Sequence, residues 1–350
     1  VNGDLRVGVD GKSLLPPRAG VARYLEGLLG ACAGLEQTGF EIALVSPRRS
    51  RRTMPWVLWD LQRATGRGFD VFHFPFYYPS LLPRCPITVA VHDVLVLEHP
   101  EWFPGRRANT LRLLIPAGVR RADAIVTGSR SVAEAIAERC RVPRERIHLT
   151  GYGVDGNRFA PPSAEAVASR RTRLGLARPY LLQLGALEPR RGSDLALAAC
   201  AGLRDRHPDL ELVVVGEARA DVRAFRQPRP WLRLLGRVED DALPALYAGA
   251  AAVVAPSRGE GFDLPVLEAL ACGALVVASD IAVHREHFAP AVVLFESGNA
   301  EALTAALACA LGDSETGRGL RAAGPALAAR FTWEDVARRH LEVWRAVGGK

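Results

Sequence analysis

Residues 252–280 read AVVAPSRGEGFDLPVLEALACGALVVASD. The opening run, Ala252–Ala255, carries no polar side chain, which suits a strand covered on both faces. Pro256 and Gly259 then break the extended backbone. A helix-period segment is predicted to start near Leu264, with Pro265 in its first turn, where a missing N–H is tolerated. A second β-rich run, Ala274–Ser279, follows Gly273. Two strands joined through a helix have the crossover that parallel pairing needs.

The same alternation extends in both directions. Upstream, β-rich runs are read at Leu5–Asp10, Glu41–Ser46, Phe69–Phe74, Ile87–His92, Ala124–Thr127 and Ile147–Thr150. In the second half they fall at Tyr180–Gly185, Leu210–Gly216, Leu232–Leu235, Ala252–Ala255, Ala274–Ser279 and Val292–Phe295. Six runs thus lie on each side of PPSAEAVASRRTRLGLARP, residues 161–179, which reads as a linker followed by a short helix. Helical segments between strands imply α/β architecture: two doubly wound, Rossmann-like domains facing across a cleft. The expected division is residues 1–165, residues 166–331 and a terminal helix at 332–350. Thr332 is placed to cap that last helix, with Val336, Leu341 and Trp344 close to one face.

Composition excludes several classes. A chain of 350 residues, 49% apolar and 24% charged, can bury two ordinary cores but contains no apolar run long enough to span a bilayer. The start shows no signal-peptide pattern, so a cytoplasmic protein is expected. Cys32, Cys85, Cys140, Cys200, Cys272 and Cys309 are widely spaced and read as reduced core thiols. The net charge of +7 comes without a nucleic-acid-binding motif, and an anionic small substrate accounts for it as well. Of the 45 basic residues only Lys12 and Lys350 are lysines.

Some motifs mislead. Gly151-Tyr152-Gly153-Val154-Asp155-Gly156 spells G-x-G-x-x-G, yet Pro161 and Pro162 forbid the helix that should follow. Gly11-Lys12-Ser13 resembles the tail of a P-loop but has Arg6 where the first glycine belongs. His284 and His287 form no metal-binding pattern and read as surface helix residues.

The informative constellation is S-x-x-E-G-F-x-L-P-x-L-E-A-x-A-C-G from Ser257, with Glu260 in a loop and Glu268 inside a helix. This stretch resembles the E-x7-E signature of the retaining, nucleotide-sugar-dependent glycosyltransferases of the GT-B type, family 4. The resemblance assigns Glu268 to the donor's ribose hydroxyls and Glu260 to the donor sugar. It also implies that the backbone amides of Gly261, Phe262, Asp263 and Leu264 face sugar and phosphate. Asp263 departs from the family's usual glycine. YLLQLGALEPRRGSDLALAA, residues 180–199, resembles the family's strand followed by G-x-L-x-P-R-K-G. Two adjacent cations, Arg190 and Arg191, ahead of a helix that Ser193 and Asp194 could cap, suit a diphosphate. Arg190 matches the family arginine, while Arg191 replaces a lysine, and the two are not interchangeable at a tight site.

Weaker pieces of the resemblance surround these. LGRVEDDALPALYAGAAAVVAPS, residues 235–257, is similar to the segment passing the nucleobase, which makes Val238 a contact candidate; Glu239, Asp240 and Asp241 are read as caps for the next helix. Pro17–Tyr24 resembles the loop over the phosphates, with Gly20 permitting close backbone approach. His92 and Asp93 fall at the end of a strand where the family carries a histidine near the donor sugar, whereas His73 reads as a core histidine. The implied reaction is retaining transfer of a hexosyl-type unit to an acceptor hydroxyl, catalysed through Glu260, His92 and Arg190, with no cofactor and no divalent metal. The implied partners are the nucleotide sugar and a carbohydrate or other hydroxyl acceptor; nucleotide, sugar and acceptor stay open, as does the oligomeric state. A sugar-nucleotide 2-epimerase and a non-catalytic nucleotide-sugar-binding homologue are the alternatives on the same fold. Arg48, Arg49, Arg51 and Arg52, followed by Trp56 and Trp59, are compatible with peripheral contact at the inner membrane face and equally with a basic loop leading into a core helix.

Overall fold

The computed structural model describes residues 4–15, 20–35, 39–47, 60–77, 82–103, 105–217, 225, 227–312 and 314–349. The arginine and tryptophan cluster at 48–59, and Pro17, Arg18 and Ala19 of the phosphate-loop reading, lie outside these residues. The chain divides into two compact units, one formed by Val1–Gly153 with Thr332–Lys350, the other by Val154–Phe331. The division between them falls after Gly153 rather than at 165, because the segment from Val154 onward belongs to the second unit: its first amide bonds the Phe331 carbonyl at 2.9 Å.

The first unit contains strands β1 (Leu5–Asp10), β2 (Phe40–Val45), β3 (Val71–Phe74), β4 (Ile87–Ala90), β5 (Ala124–Thr127) and β6 (Ile147–Leu149). Among the described residues, its helices before the second unit are α1 (Gly20–Ala33), α2 (Leu61–Ala64), α3 (Leu95–Glu98), α4 (Arg106–Arg121) and α5 (Arg130–Cys140). All strand pairings are parallel, in the order β2-β1-β3-β4-β5-β6. The second unit contains β7 (Tyr180–Leu184), β8 (Glu211–Val215), β9 (Leu232–Gly236), β10 (Ala252–Ala255), β11 (Val276–Ser279) and β12 (Val293–Phe295), again all parallel, in the order β12-β11-β10-β7-β8-β9. Among the described residues its helices are α6 (Ala164–Arg173), α7 (Ser193–Leu203), α8 (Leu243–Gly249), α9 (Leu264–Ala271), α10 (Ala282–His287), α11 (Ala300–Gly312) and α12 (Ser314–Ala328). The expected twelve strands are all present, with ends shifted by a residue or two, as the loss of ladder pairing at strand termini permits. In both sheets the strand order reverses beside the first strand of the unit (β1 or β7), which puts the ligand-binding position at the carboxyl ends of the strands there.

The last helix, α13 (Trp333–Gly348), belongs to the first unit. Thr332 caps it by accepting the Asp335 amide at 3.1 Å. Val336, Leu341 and Trp344 are buried, and Trp333 lies so close to α1 that a β-carbon on Gly27 would come within 2.2 Å of its ring. Beneath this helix runs a chain of neutral hydrogen-bonded groups. Thr88 Oγ is 2.9 Å from His73 Nδ1, His73 Nε2 is 3.2 Å from the Tyr24 hydroxyl, that hydroxyl is 2.7 Å from His340 Nε2, and His340 Nδ1 is 2.8 Å from the Val336 carbonyl. One direction of donation satisfies every link with both imidazoles neutral, ending on a carbonyl that only accepts. His73 is therefore the core histidine expected from the sequence. Burial holds its pKa, and that of His340, below the ordinary histidine value, His340 at about 4.

Candidate active site

In the second unit the strand ends deliver a compact cluster of charge. β7 leads into Leu187, Glu188 and a turn of 3₁₀ helix at Pro189–Arg191, and β10 leads into Ser257 and Glu260. Gly192 makes the first turn workable: it sits at φ +61°, and a β-carbon there would meet the Pro256 carbonyl oxygen at 1.9 Å, so only glycine lets the two loops approach. The Arg258 amide bonds the Arg190 carbonyl at 2.8 Å and fastens one loop to the other. Gln183, buried on β7, donates from Nε2 to the Arg191 carbonyl and to Ser193 Oγ.

Glu260 is the centre of this cluster. Its Oε1 is 2.7 Å from Arg191 Nη1 and accepts the Ser257 hydroxyl at 2.8 Å; its Oε2 is 3.5 Å from Arg190 Nη1. Arg190 Nε in turn lies 3.1 Å from Glu188. The Glu260 side chain is 7% exposed and those of the two arginines about 20%, so these charges meet where solvent screens them weakly and each needs a partner. The site thus holds two adjacent guanidinium groups at the mouth of a parallel sheet, beside the start of α9. That combination suits a diphosphate.

Asp263 is the N-terminal flank of α9 in the left-handed conformation, φ 72° and ψ 66°, which explains why glycine is expected at this place. Its carboxylate turns inward to His284 Nε2 at 3.1 Å and lies 3.8 Å from Arg191 Nη1. Burial works against its charge, but the His284 hydrogen bond and charge and the two arginines together hold the carboxyl below its usual range. Phe262 is buried against His287, Phe288 and Phe331, with a ring-centre distance of 4.8 Å to His287. Gly261 is buried and Leu264 half-buried. Glu268 lies one turn into α9, 2% exposed, and accepts the Tyr247 hydroxyl of α8 at 3.0 Å. Val238 is half-buried in the loop after β9.

Several sequence expectations are corrected here. Neither Ser193 nor Asp194 caps α7, because left-handed Gly192 occupies the cap; Asp194 takes a two-point ion pair from Arg258 at 3.0 and 2.7 Å. Asp240 and Asp241 pair with Arg158 and Arg170 at 2.8 and 3.2 Å, and Glu239 makes no side-chain capping bond. His284 is fully buried, which removes it from the surface, whereas His287 is half-buried. Ser257, Glu188, Gln183, Tyr247 and His284 join the site although the sequence assigned none of them a role in it. All but Tyr247 and His284 sit at or just past a strand's carboxyl end inside the quoted motifs, and that position was the available signal.

In the first unit His92 has both ring nitrogens occupied. Nε2 faces the Pro75 carbonyl at 2.8 Å, which assigns its hydrogen, and Nδ1 accepts the Tyr152 hydroxyl. Burial lowers its pKa, opposed by the Pro75 bond and the Asp93 charge, so the ring is held neutral and fixed. Asp93 accepts the Leu95 amide at 3.1 Å and so opens α3. Gly20 is exposed at the start of α1, and a β-carbon there would meet nothing within 4 Å, so packing inside the unit does not require glycine. Among the described residues no cluster of three or more His, Cys, Asp or Glu side chains is placed to hold a metal, and no helix is long and apolar enough to cross a membrane.

Residues 166–326, which contain the whole charge cluster, match the family described as Glycosyl transferases group 1, and residues 20–158 match Glycosyltransferase Family 4. The chain belongs to the group 1 glycosyltransferases. This glycosyltransferase is 29% identical over 315 residues to the O-antigen chain mannosyltransferase B of Escherichia coli, covering 86% of the chain and 78% of that enzyme. It is 30% identical over 273 residues to a glycogen synthase of Mycobacterium tuberculosis, covering 75% of the chain but only 63% of the relative. Among solved structures it resembles a sucrose-phosphate synthase from Thermosynechococcus elongatus, with a TM-score of 0.79, 18% identity and 99% of each chain covered. It also resembles the Anabaena protein HepE in complex with UDP and glucose, with a TM-score of 0.77, 18% identity and 97% and 99% of the two chains covered. These likenesses agree with two parallel α/β sheets of the GT-B class. As a group 1 member the protein is a nucleotide-sugar-dependent glycosyltransferase.

Proposed function

We propose that the enzyme transfers a hexosyl-type sugar from a nucleoside diphosphate sugar to a carbohydrate or other acceptor hydroxyl, with retention of anomeric configuration and without a divalent metal. The observation that carries this reading is the Arg190–Glu260–Arg191 bridge at the ends of β7 and β10. Breaking the bond between sugar and diphosphate places growing negative charge on the leaving group, and the largest demand on the protein is to stabilise that charge. Arg190 and Arg191 supply two fixed cations for it, and the amides at the start of α9 add the positive end of a helix. A metal is unnecessary where paired guanidinium groups already balance a diphosphate.

Glu260 holds both arginines in register and, in this reading, contacts the sugar whose anomeric carbon reacts. Glu268 binds the ribose, with Tyr247 fixing its carboxylate. Val238, in the loop after β9, lies along the nucleobase. The O-antigen mannosyltransferase B and HepE with UDP and glucose support a nucleotide-activated hexose as the donor class.

Thermal-shift screening against UDP, GDP, ADP and their hexose conjugates identifies the donor: a ligand at 100 times its dissociation constant raises stability by about 2.7 kcal/mol. Incubation of that donor with simple glycoside acceptors, followed by NMR of the product's anomeric proton, then reads transfer and stereochemistry together. A product with the donor's anomeric configuration is expected. Inverted product would overturn retention; epimerised free sugar formed without acceptor would overturn transfer.

A further inference from the structure

The group that sets the state of Asp263 lies beneath it. His284 of α10 is fully buried, with Nδ1 2.8 Å from the Ser279 carbonyl oxygen and Nε2 3.1 Å from Asp263 Oδ2. A carbonyl has no hydrogen to give, and an ionised carboxylate has none either. Both ring nitrogens therefore carry hydrogen, and His284 is an imidazolium. Burial opposes the charge, but the bond and charge of Asp263, the Ser279 carbonyl and the charge of Glu260 outweigh it and raise the pKa above the ordinary histidine value. The other ring packed on His284, Phe288, is not titratable.

Asp263 therefore stands between two cations, His284 at 3.1 Å and Arg191 at 3.8 Å, while Arg191 stands between two carboxylates, Glu260 at 2.7 Å and Asp263. Which carboxylate holds Arg191 depends on how far His284 has already neutralised Asp263. We propose that His284 is a positioning residue for the donor diphosphate: its imidazolium clamps Asp263 so that this carboxylate does not draw Arg191 away from Glu260 and from the phosphates. The inference rests on the donor reading of the arginine pair. When His284 loses its second proton, or is replaced, Asp263 becomes an unbalanced buried anion whose nearest cation is Arg191, and the diphosphate loses part of that guanidinium.

The test is a double-mutant cycle on affinity for UDP, GDP and ADP, using His284→Asn, Asp263→Gly and the pair. Glycine suits φ 72°, so Asp263→Gly is expected to fold, with circular dichroism as the check. His284→Asn should weaken the nucleoside diphosphate that binds by about tenfold in the native background and by no more than about twofold beside Asp263→Gly, as coupled contacting residues do. Native protein should also lose affinity as pH rises through the His284 pKa, and Asp263→Gly should not show that limb. Nitrogen-15 NMR of the imidazole should find both nitrogens protonated at neutral pH. Equal effects of His284→Asn in both backgrounds, or a singly protonated ring at neutral pH, would overturn the positioning role while leaving the donor reading intact. Failure of the native protein to bind any of the three nucleotides would overturn both.

Discussion

Glu260 and Arg191 share a 2.7 Å ion pair at a place where the carboxylate is almost wholly shielded from water. The arginines are therefore not idle counter-charges waiting for phosphate. An arriving diphosphate has to share them with Glu260, and removal of any one member leaves a shielded charge unbalanced.

Arg190→Ala removes one of the two cations. Loss of a charge-assisted contact is expected to weaken nucleoside diphosphate binding by about 1.5–3 kcal/mol, roughly tenfold to a hundredfold, with the fold retained because the guanidinium lies in the strand-end loop rather than in the core. Calorimetric titration, with circular dichroism as the folding control, measures it. Unchanged affinity would remove Arg190 from the phosphate site.

The two glutamates should separate kinetically. Glu268 is assigned to the ribose, which does not change during reaction, so Glu268→Gln should mainly raise the donor KM. Glu260 is assigned to the reacting sugar and holds the arginines, so Glu260→Gln should fall mainly on kcat. Steady-state rates against donor concentration decide it, and the reverse pattern would overturn the assignment.

Tyr247→Phe deletes the hydroxyl that donates to buried Glu268 at 3.0 Å while leaving the ring in place. A buried carboxyl oxygen that loses a donor is expected to cost about 1–3 kcal/mol of stability in the second unit. Nucleotide binding should restore part of the loss if Glu268 gains ribose hydroxyls as replacement donors. Urea unfolding with and without nucleotide tests both statements.

Acid should loosen the first unit through the neutral chain under α13. His340 titrates at about 4 when folded and near 6.5 when unfolded, so the unfolded state takes up the proton first as pH falls. The stabilisation is fully present above the unfolded value and is lost between about 6.5 and about 4, amounting to about 3 kcal/mol for this one group. His73, also depressed, acts in the same direction. Comparison of urea midpoints across this range, in native protein and in His340→Gln, measures the slope; a midpoint unchanged by acid would show that the chain does not titrate as a neutral unit.

Transfer is expected to survive EDTA at full rate. Recovery of activity only with added magnesium or manganese would overturn the metal-free reading.

Much of this protein was legible in the residue order. Buried parallel strands are runs such as Ala252–Ala255 and Ile87–Ala90, apolar or nearly so because both faces are covered, and such runs are visible without knowing what covers them. The helix starting at Leu264, the Thr332 cap and the arginine pair after β7 follow from local rules of turn, cap and charge. Pairing across long sequence separation is what residue order could not express. Asp194 and Asp241 have the composition of caps but bind Arg258 and Arg170, 64 and 71 residues away, because Gly192 and Ala242 hold the cap positions and the carboxylates gain more from a guanidinium. His284, five residues beyond the end of β11, looks like any polar residue on a short helix. Only the fold sets it under a left-handed Asp263, and two acceptors facing one buried ring then decide its charge.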